Sequence, residues 1–482
     1  MHKAAPKPVR LNGPTALRWG LRIAQDPLLA TRGAFDAFGP FVILGGGLPF
    51  AKTRRIPLLG VPLILTAGAA LTAELLSDTE SWRGTSLLPR GPRGSAARRM
   101  SAGLTRLTGH AHAYYRKVVL APLRRTNVEA LAKRMADLAQ DDVASWPLGE
   151  NRDLWELTRR LMRRLALELL FGGDTEQARS VADLVSTLME RKWGWRAFVP
   201  VNLPVTTYGQ IARESELLEE RIRRWVAPKR GRLDPGDYAS IIVNSPDPEG
   251  KPADDAVILA QLASLLLASF EAAQSVLTWT LVLLSQHPNV AARLDDELST
   301  RLGGSSAALA GAVDLPYLDA VVKESMRVLP PVPVQIRVAE HDTSIAGYGV
   351  PRGTRVLLST FVTNRATNLY PDPDVFAPER WSGLTPTMYE FPVFSAGPHA
   401  CPGYWFGSNG VKIAVAAILM RCRIQWPPGA RIDYRTQPTL RPSGRMGVTL
   451  RPAETAQSPA VPIDGSIRGL VKLSWAPRAS SH

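Results

Sequence analysis

Cysteine is nearly absent: the 482 residues contain two, Cys401 and Cys422. Two are too few to staple a small secreted domain, and they are ill placed to pair. Most of the stretch between them reads as helix (KIAVAAILM), which at about 1.5 Å per residue sets their Cα atoms roughly 30 Å apart. A disulfide needs less than about 7 Å. Both are expected to be free thiols in a reducing compartment, the cytoplasm. No fixed-period repeat runs along the chain, which argues against a solenoid or propeller. The opening segment MHKAAPKPVRLNG has none of the apolar core of a secretory signal. Acidic residues are in deficit, 43 against 58 Lys and Arg, for a formal charge of +15. The basic residues are scattered and no basic run interleaved with aromatics stands out, so no nucleic-acid partner is expected. An acidic redox protein or an anionic surface suits the same charge.

What is present is apolar material for a large core: 45% hydrophobic residues, punctuated by 38 Gly and 40 Pro. Residues 1–55, broken by Pro and Gly, read as an irregular segment with short helices. Residues 56–76 are apolar enough to suggest a membrane span, but their Pro, Gly and Thr breaks favour two short buried strands followed by a helix. Residues 105–230 carry helical patterns. The longest helix is expected over 254–285, with Asp254 and Asp255 at its N-terminus and Pro288 past its end. It is apolar on nearly every face, the mark of a helix buried all round. Glu271 and Gln274 at its middle argue against a membrane span. A further helix over 318–328 stops at Pro330 and Pro331, and residues 343–360 (TSIAGYGVPRGTRVLLST) read as a hairpin-like stretch. Residues 453–482, rich in Ser, Pro and Ala, read as a flexible tail. The fold class is therefore mainly α with small β-sheets, a single catalytic domain over 56–452, expected as a monomer without a transmembrane anchor.

Four local patterns carry chemistry. Residues 394–403 read FSAGPHACPG, and a thiolate that ligates a metal needs such a tight loop, with Gly397 and Gly403 permitting close approach. Phe394 offers an apolar cover and His399 a hydrogen-bonding group. Glu324 and Arg327 lie three apart on one helix face, followed later by Arg380. His112 and Arg116, four apart, can reach one anionic patch, whereas His110 and His112 point to different faces and do not make a metal pair. The fourth pattern is Ala268, Ser269, Phe270, Glu271, Ala272 in the middle of the long helix.

In this order, over roughly residues 50–452, these patterns resemble those of the cytochrome P450 family. The loop matches the family's Phe-x-x-Gly-x-Arg/His-x-Cys-x-Gly at every specified position. The resemblance implies haem b, held between the long central helix and the Cys-loop helix, with Cys401 as axial thiolate to the iron. It implies that Phe394, Gly397 and Gly403 shape the haem loop, and that His112, Arg116, Arg337 and His399 bind haem propionates. Glu324, Arg327 and Arg380 match the family's buried structural ion cluster. Ala268, Ser269, Glu271 and Ala272 fall in the oxygen-activating groove, but Ser269 replaces the usual Gly and Ala272 the usual Thr, whose hydroxyl relays protons. The implied function is a monooxygenase that hydroxylates or epoxidises an apolar small molecule, such as a terpenoid, polyketide or fatty acyl chain. It would use O2 and electrons from a separate ferredoxin and ferredoxin reductase, docked near Arg116 and Lys117. Protons would come from a substrate hydroxyl or an ordered water oriented by Glu271. The Ala272 departure keeps a peroxygenase and a non-oxygenating rearrangement or coupling enzyme open, and a non-catalytic haem-binding sensor is the alternative of another class. Pro402 removes the amide that ordinarily faces the sulfur, which implies a more electron-rich thiolate.

Overall fold

The longest apolar run becomes the longest helix. In the computed structural model, which describes residues 7–45, 62–85, 91, 94–100, 103–193, 197, 201–303, 306–436, 439–455 and 461–473, this helix spans Asp255–Gln286. The Asp254 carboxylate caps it by accepting from the Ala256 N–H at 2.7 Å. From residue 268 to 284 every position is buried except Ala268, Ser269 and Ala272. It packs against the helix Leu154–Leu170 and the Cys-loop helix Tyr404–Arg421. Some of its internal polar groups are matched: Thr278 and Thr158 hydroxyls meet at 2.7 Å, and Gln274 donates to the Trp155 carbonyl at 3.1 Å, whereas Gln274 Oε1 and Thr280 Oγ1 have no partner. It is the one helix among the described residues long and apolar enough to cross a membrane, and more than half of it lies inside the protein.

Helices dominate and the sheets are small. The largest has six strands in the order Val9–Leu11, Phe41–Leu44, Leu63–Thr66, Arg355–Ser359, Val334–Ala339, Trp82–Thr85. The hairpin-like stretch divides: Thr343–Ile345 and Tyr348–Val350 form the hairpin, while Arg355–Ser359 joins the large sheet. Of the strand, strand and helix expected over 56–76, Leu63–Thr66 and Ala69–Ser77 are present. The first expected strand lies outside the described residues.

Two expectations are corrected. The segment 1–55 is not irregular over its described part. It holds helices Gly13–Gln25 and Pro27–Phe38 and two strands of the large sheet. Pro14 and Pro27 sit in the first turns of these helices, where a missing N–H costs nothing. Nor is residue 453 the start of a loose tail, because Ile463, Ile467, Leu470 and Val471 are buried. The buried Arg365 guanidinium donates to Leu470 O at 2.7 Å and pairs with Asp374 at 3.0 Å. Asp374 in turn takes Arg32 in two bonds of 2.9 and 2.8 Å. Arg32, Asp374, Arg365 and Leu470, far apart in sequence, thus form one connected network.

Candidate functional site

The loop before the helix Tyr404–Arg421 is held closed on Cys401. The Cys401 N–H donates to Phe394 O at 2.7 Å, and the Phe394 ring meets Tyr404 edge-on with centroids 4.7 Å apart. Gly397 has φ +58°, and a Cβ there would sit 3.0 Å from the Leu76 carbonyl oxygen, so only glycine suits the position. Gly403 lets the helix start beside the sulfur, with its backbone N–H on the thiol. Although Cys401 is exposed, desolvation by the surrounding protein raises its thiol, while that N–H and Arg116 pull the other way. The sulfur therefore keeps one amide bond, from Gly403, although Pro402 supplies none. Both cysteines are free.

Four cationic or potentially cationic groups surround this loop. His112 projects from the helix Gly109–Leu120, and its ring lies 5.1 Å from that of His399. Arg337, on the strand Val334–Ala339, is 7% exposed. Its bonds go only to Ile336 O at 3.2 Å and Gln335 Oε1 at 3.4 Å, and its Nε has no partner. Burial pushes its guanidinium down to about 10. Burial, then Arg337, His112 and Arg116, push His399 down to about 3. One of its ring nitrogens bonds the Trp82 backbone and its Nε2 has no partner. Burial, Arg116 and Arg337 likewise lower His112. None of the four forms an ion pair among the described residues. A buried guanidinium with an unused donor, beside Arg116 and an unpartnered His399 Nε2, calls for an anion. A group bearing two carboxylates beside a thiolate-held metal fits these residues, which is the chemistry of haem b.

Opposite in character is the stripe on the long helix. A period of 3.6 residues sets Leu265, Ala268, Ser269 and Ala272 within an arc of about 100°, and these are positions where the helix is not fully buried. Its one hydroxyl, that of Ser269, donates back to Leu266 O at 2.7 Å. Glu271 lies off this arc: its Oε1 accepts from Ser186 Oγ at 2.9 Å, its Oε2 has no partner, and burial raises its carboxyl above the usual range.

The ion cluster is assembled as the sequence suggested. Glu324, fully buried, accepts from Arg327 Nε and Nη2 at 2.8 Å each and from Arg380 Nε at 2.9 Å. It also takes the Trp381 indole at 3.0 Å and the Ala377 N–H at 2.9 Å. Arg116 is turned inward towards Cys401 rather than outward, leaving Lys117 exposed. Sequence reasoning missed Gln335, which accepts from Ser395 Oγ at 3.1 Å and donates to Pro392 O at 3.3 Å, strapping the Cys401 loop to the Arg337 strand. Its place two residues before Arg337 was the available signal. It also missed Ser186, which no local pattern marks.

The sequence profile of the cytochrome P450 family matches residues 86–450. Cyclooctat-9-en-7-ol 5-monooxygenase of Streptomyces melanosporofaciens is 29% identical over 67% of this chain and 73% of its own length. Cyclooctatin synthase of the same organism is 33% identical over 48% of this chain and half of its own length, 50%. Among solved structures, retinoic acid-bound cyanobacterial CYP120A1 superposes with TM-score 0.73 at 23% identity, covering 87% of this chain and 93% of that one. CYP175A1 from Thermus thermophilus gives 0.68 at 24% identity, covering 92% and 99%. With the profile spanning most of the chain and the fold shared across nearly its whole length, the chain belongs to the cytochrome P450 family and is a haem-thiolate monooxygenase, carrying haem b on an axial cysteine.

Proposed function

We propose that Cys401 supplies the axial thiolate, that His112, Arg116, Arg337 and His399 hold the propionates, and that the enzyme hydroxylates or epoxidises an apolar small molecule. The observation that carries this is the buried Arg337 guanidinium with a partnerless Nε, set beside Arg116, His112 and the partnerless Nε2 of a neutral His399 at the Cys401 loop. When bound, haem supplies the activation of O2, which a thiolate ligand favours. The protein's own residues do the rest. Gly403 N–H and Arg116 stabilise the anionic sulfur. The Phe394 ring covers the loop, and Gln335 fixes its distance from Arg337. Leu265, Ala268 and Ala272 give the substrate an apolar wall and exclude water.

Protons must reach the reacting oxygen from elsewhere than the stripe, because Ala272 has no hydroxyl and that of Ser269 is committed to Leu266 O. A substrate hydroxyl or an ordered water fills that role. The streptomycete relative named above is described as acting on an alcohol, and a terpenoid alcohol is a first substrate class to try. Electrons come from a separate ferredoxin and ferredoxin reductase, docking on the Lys117 side in a soluble, cytoplasmic enzyme.

The test is the reduced, carbon monoxide-bound absorbance spectrum. Wild type should show the band of thiolate ligation and Cys401→Ser should lose it while retaining its fold. Product formation with O2, NADPH, ferredoxin and its reductase, but not with peroxide alone, would support the reductive reaction over the peroxygenase. Turnover by peroxide alone would reverse that choice.

A further inference from the structure

Beside the middle of the long helix, side chains from four elements close a ring. Glu271 Oε1 accepts from Ser186 Oγ at 2.9 Å, on the helix Glu176–Trp193. One turn further along that helix, on the same face, Glu190 pairs with Arg441 at 2.5 Å. The Arg441 guanidinium lies 6.0 Å from the centre of the Trp155 ring. The Trp155 carbonyl accepts from Gln274 Nε2 at 3.1 Å, and Gln274 shares a helix face with Glu271, which completes the circuit. The strand Leu440–Pro442 that carries Arg441 is fastened to the long helix: Leu440 O accepts from Ser275 Oγ at 2.6 Å and from Trp279 Nε1 at 2.8 Å.

Members of this ring hold polar atoms that the protein leaves unused. Glu271 Oε2, Gln274 Oε1 and Arg441 Nε are buried without a partner. So is Nε of Arg435, which stands directly across the strand pair from Arg441. Acceptors and donors gathered in this way are what internal water satisfies, each molecule making about three bonds. Ser186, Glu271, Gln274 and Arg441 are buried, and the ring reaches solvent at Glu190, whose side chain is 47% exposed. Burial raises the Glu271 carboxyl, with Glu190 and against Ser186, Arg441 and Arg159, so it holds a proton more readily than an exposed carboxylate.

We propose that this ring is the enzyme's proton entrance: water bridging its unused atoms joins Glu271 to solvent, and the Glu190–Arg441 pair forms the mouth. This rests on the proposed function only in taking the reaction to consume protons. Glu271 immediately precedes Ala272, the stripe position without a hydroxyl. A proton that leaves the Glu271 carboxyl towards the stripe is replaced, through the bridging water, from solvent at Glu190. The ring thus returns to its starting state after each transfer, and bulk water is the net donor. Glu190 and Arg441 act through Glu271 and are positioning residues.

The experiment follows the Glu271 carboxyl by infrared difference spectroscopy of the haem-loaded enzyme at pH 5, on transfer into D2O. The protonated-carboxyl band that is lost in Glu271→Gln belongs to this residue. In wild type it should shift as fast as the solvents mix. The double variant Glu190→Leu, Arg441→Met closes the mouth with apolar groups and leaves no buried cation unpaired. It should slow the shift by about ten- to a hundredfold, lower the coupling of NADPH use to product and enlarge its solvent isotope effect. Glu190→Asp should keep all three near wild type. No Glu271-dependent band at pH 5, a wild-type band that fails to shift over hours, or a double variant that exchanges at the wild-type rate would each overturn the proposal. So would slowed exchange with unchanged coupling and isotope effect. The carbon monoxide spectrum of the same preparations reports separately on Cys401, so a failed thiolate assignment and a closed ring give different results.

Discussion

Replacing Arg337 by methionine should move two stabilities in opposite directions. Among the protein's own groups Arg337 is an almost fully buried cation whose Nε has no partner, and its depression to about 10 amounts to roughly 3 kcal/mol of burial cost. Methionine keeps the apolar length of the stem, tolerates the strand and carries no charge. Part of the cost is already relieved by Ile336 O and Gln335 Oε1, so haem-free Arg337→Met should gain about 1–3 kcal/mol. In the haem-loaded enzyme the same change would remove the proposed charge-assisted bond to a propionate, worth about 1.5–3 kcal/mol. Haem should then leave about ten to a hundred times faster or bind that much more weakly. Urea denaturation of protein prepared without haem measures the first quantity, and transfer of haem to excess apomyoglobin measures the second. A variant that is less stable without haem and loses haem at the wild-type rate would refute both the orphan-charge reading and the propionate assignment.

Glu324→Ala leaves two guanidiniums and an indole N–H without their acceptor, and denaturation should show a loss of about 3–5 kcal/mol. Gly397→Ala forces a side chain into positive φ against the Leu76 carbonyl; a loss of about 1–3 kcal/mol and lower haem occupancy are expected. Glu271→Gln keeps an acceptor for Ser186 and removes a buried charge. Because burial raises this carboxyl, the wild-type contribution is fully present below the ordinary 4.5 and is lost as pH rises through the raised value. The Gln variant should accordingly melt higher than wild type at pH 8 and no higher at pH 4. Ala272→Thr should change the coupling of NADPH use to product by less than about twofold if substrate or water already delivers the protons; a large gain would mean that the stripe is short of a donor.

The Cys401 loop, the long helix and the Glu324 cluster were legible because each is written in a short run with fixed spacing. The N-terminal segment was not, because Pro14 and Pro27 read as breaks when they are the first-turn prolines of two helices. The C-terminal segment hides Ile463, Ile467, Leu470 and Val471 among Ser, Pro and Ala, and their burial depends on Arg365 and the long helix's Gln286, far away in sequence. Glu271 carries the right residue type at the right register, yet its hydrogen bond goes to Ser186 on a neighbouring helix.

The order of strands in the large sheet also sets a timetable for biosynthesis. Leu63–Thr66 pairs in parallel with Arg355–Ser359, and Trp82–Thr85 pairs with Val334–Ala339. At a ribosomal rate of about 5–20 residues per second, the early strands wait on the order of tens of seconds for their partners. Throughout that interval they are unpaired edges open to other chains. The Arg337 strand is one of those partners, and Cys401 emerges later still, so the prosthetic group can be captured only after both have been made. Its supply during rapid expression, more than the thermodynamics of the finished fold, should govern how much soluble protein a cell yields.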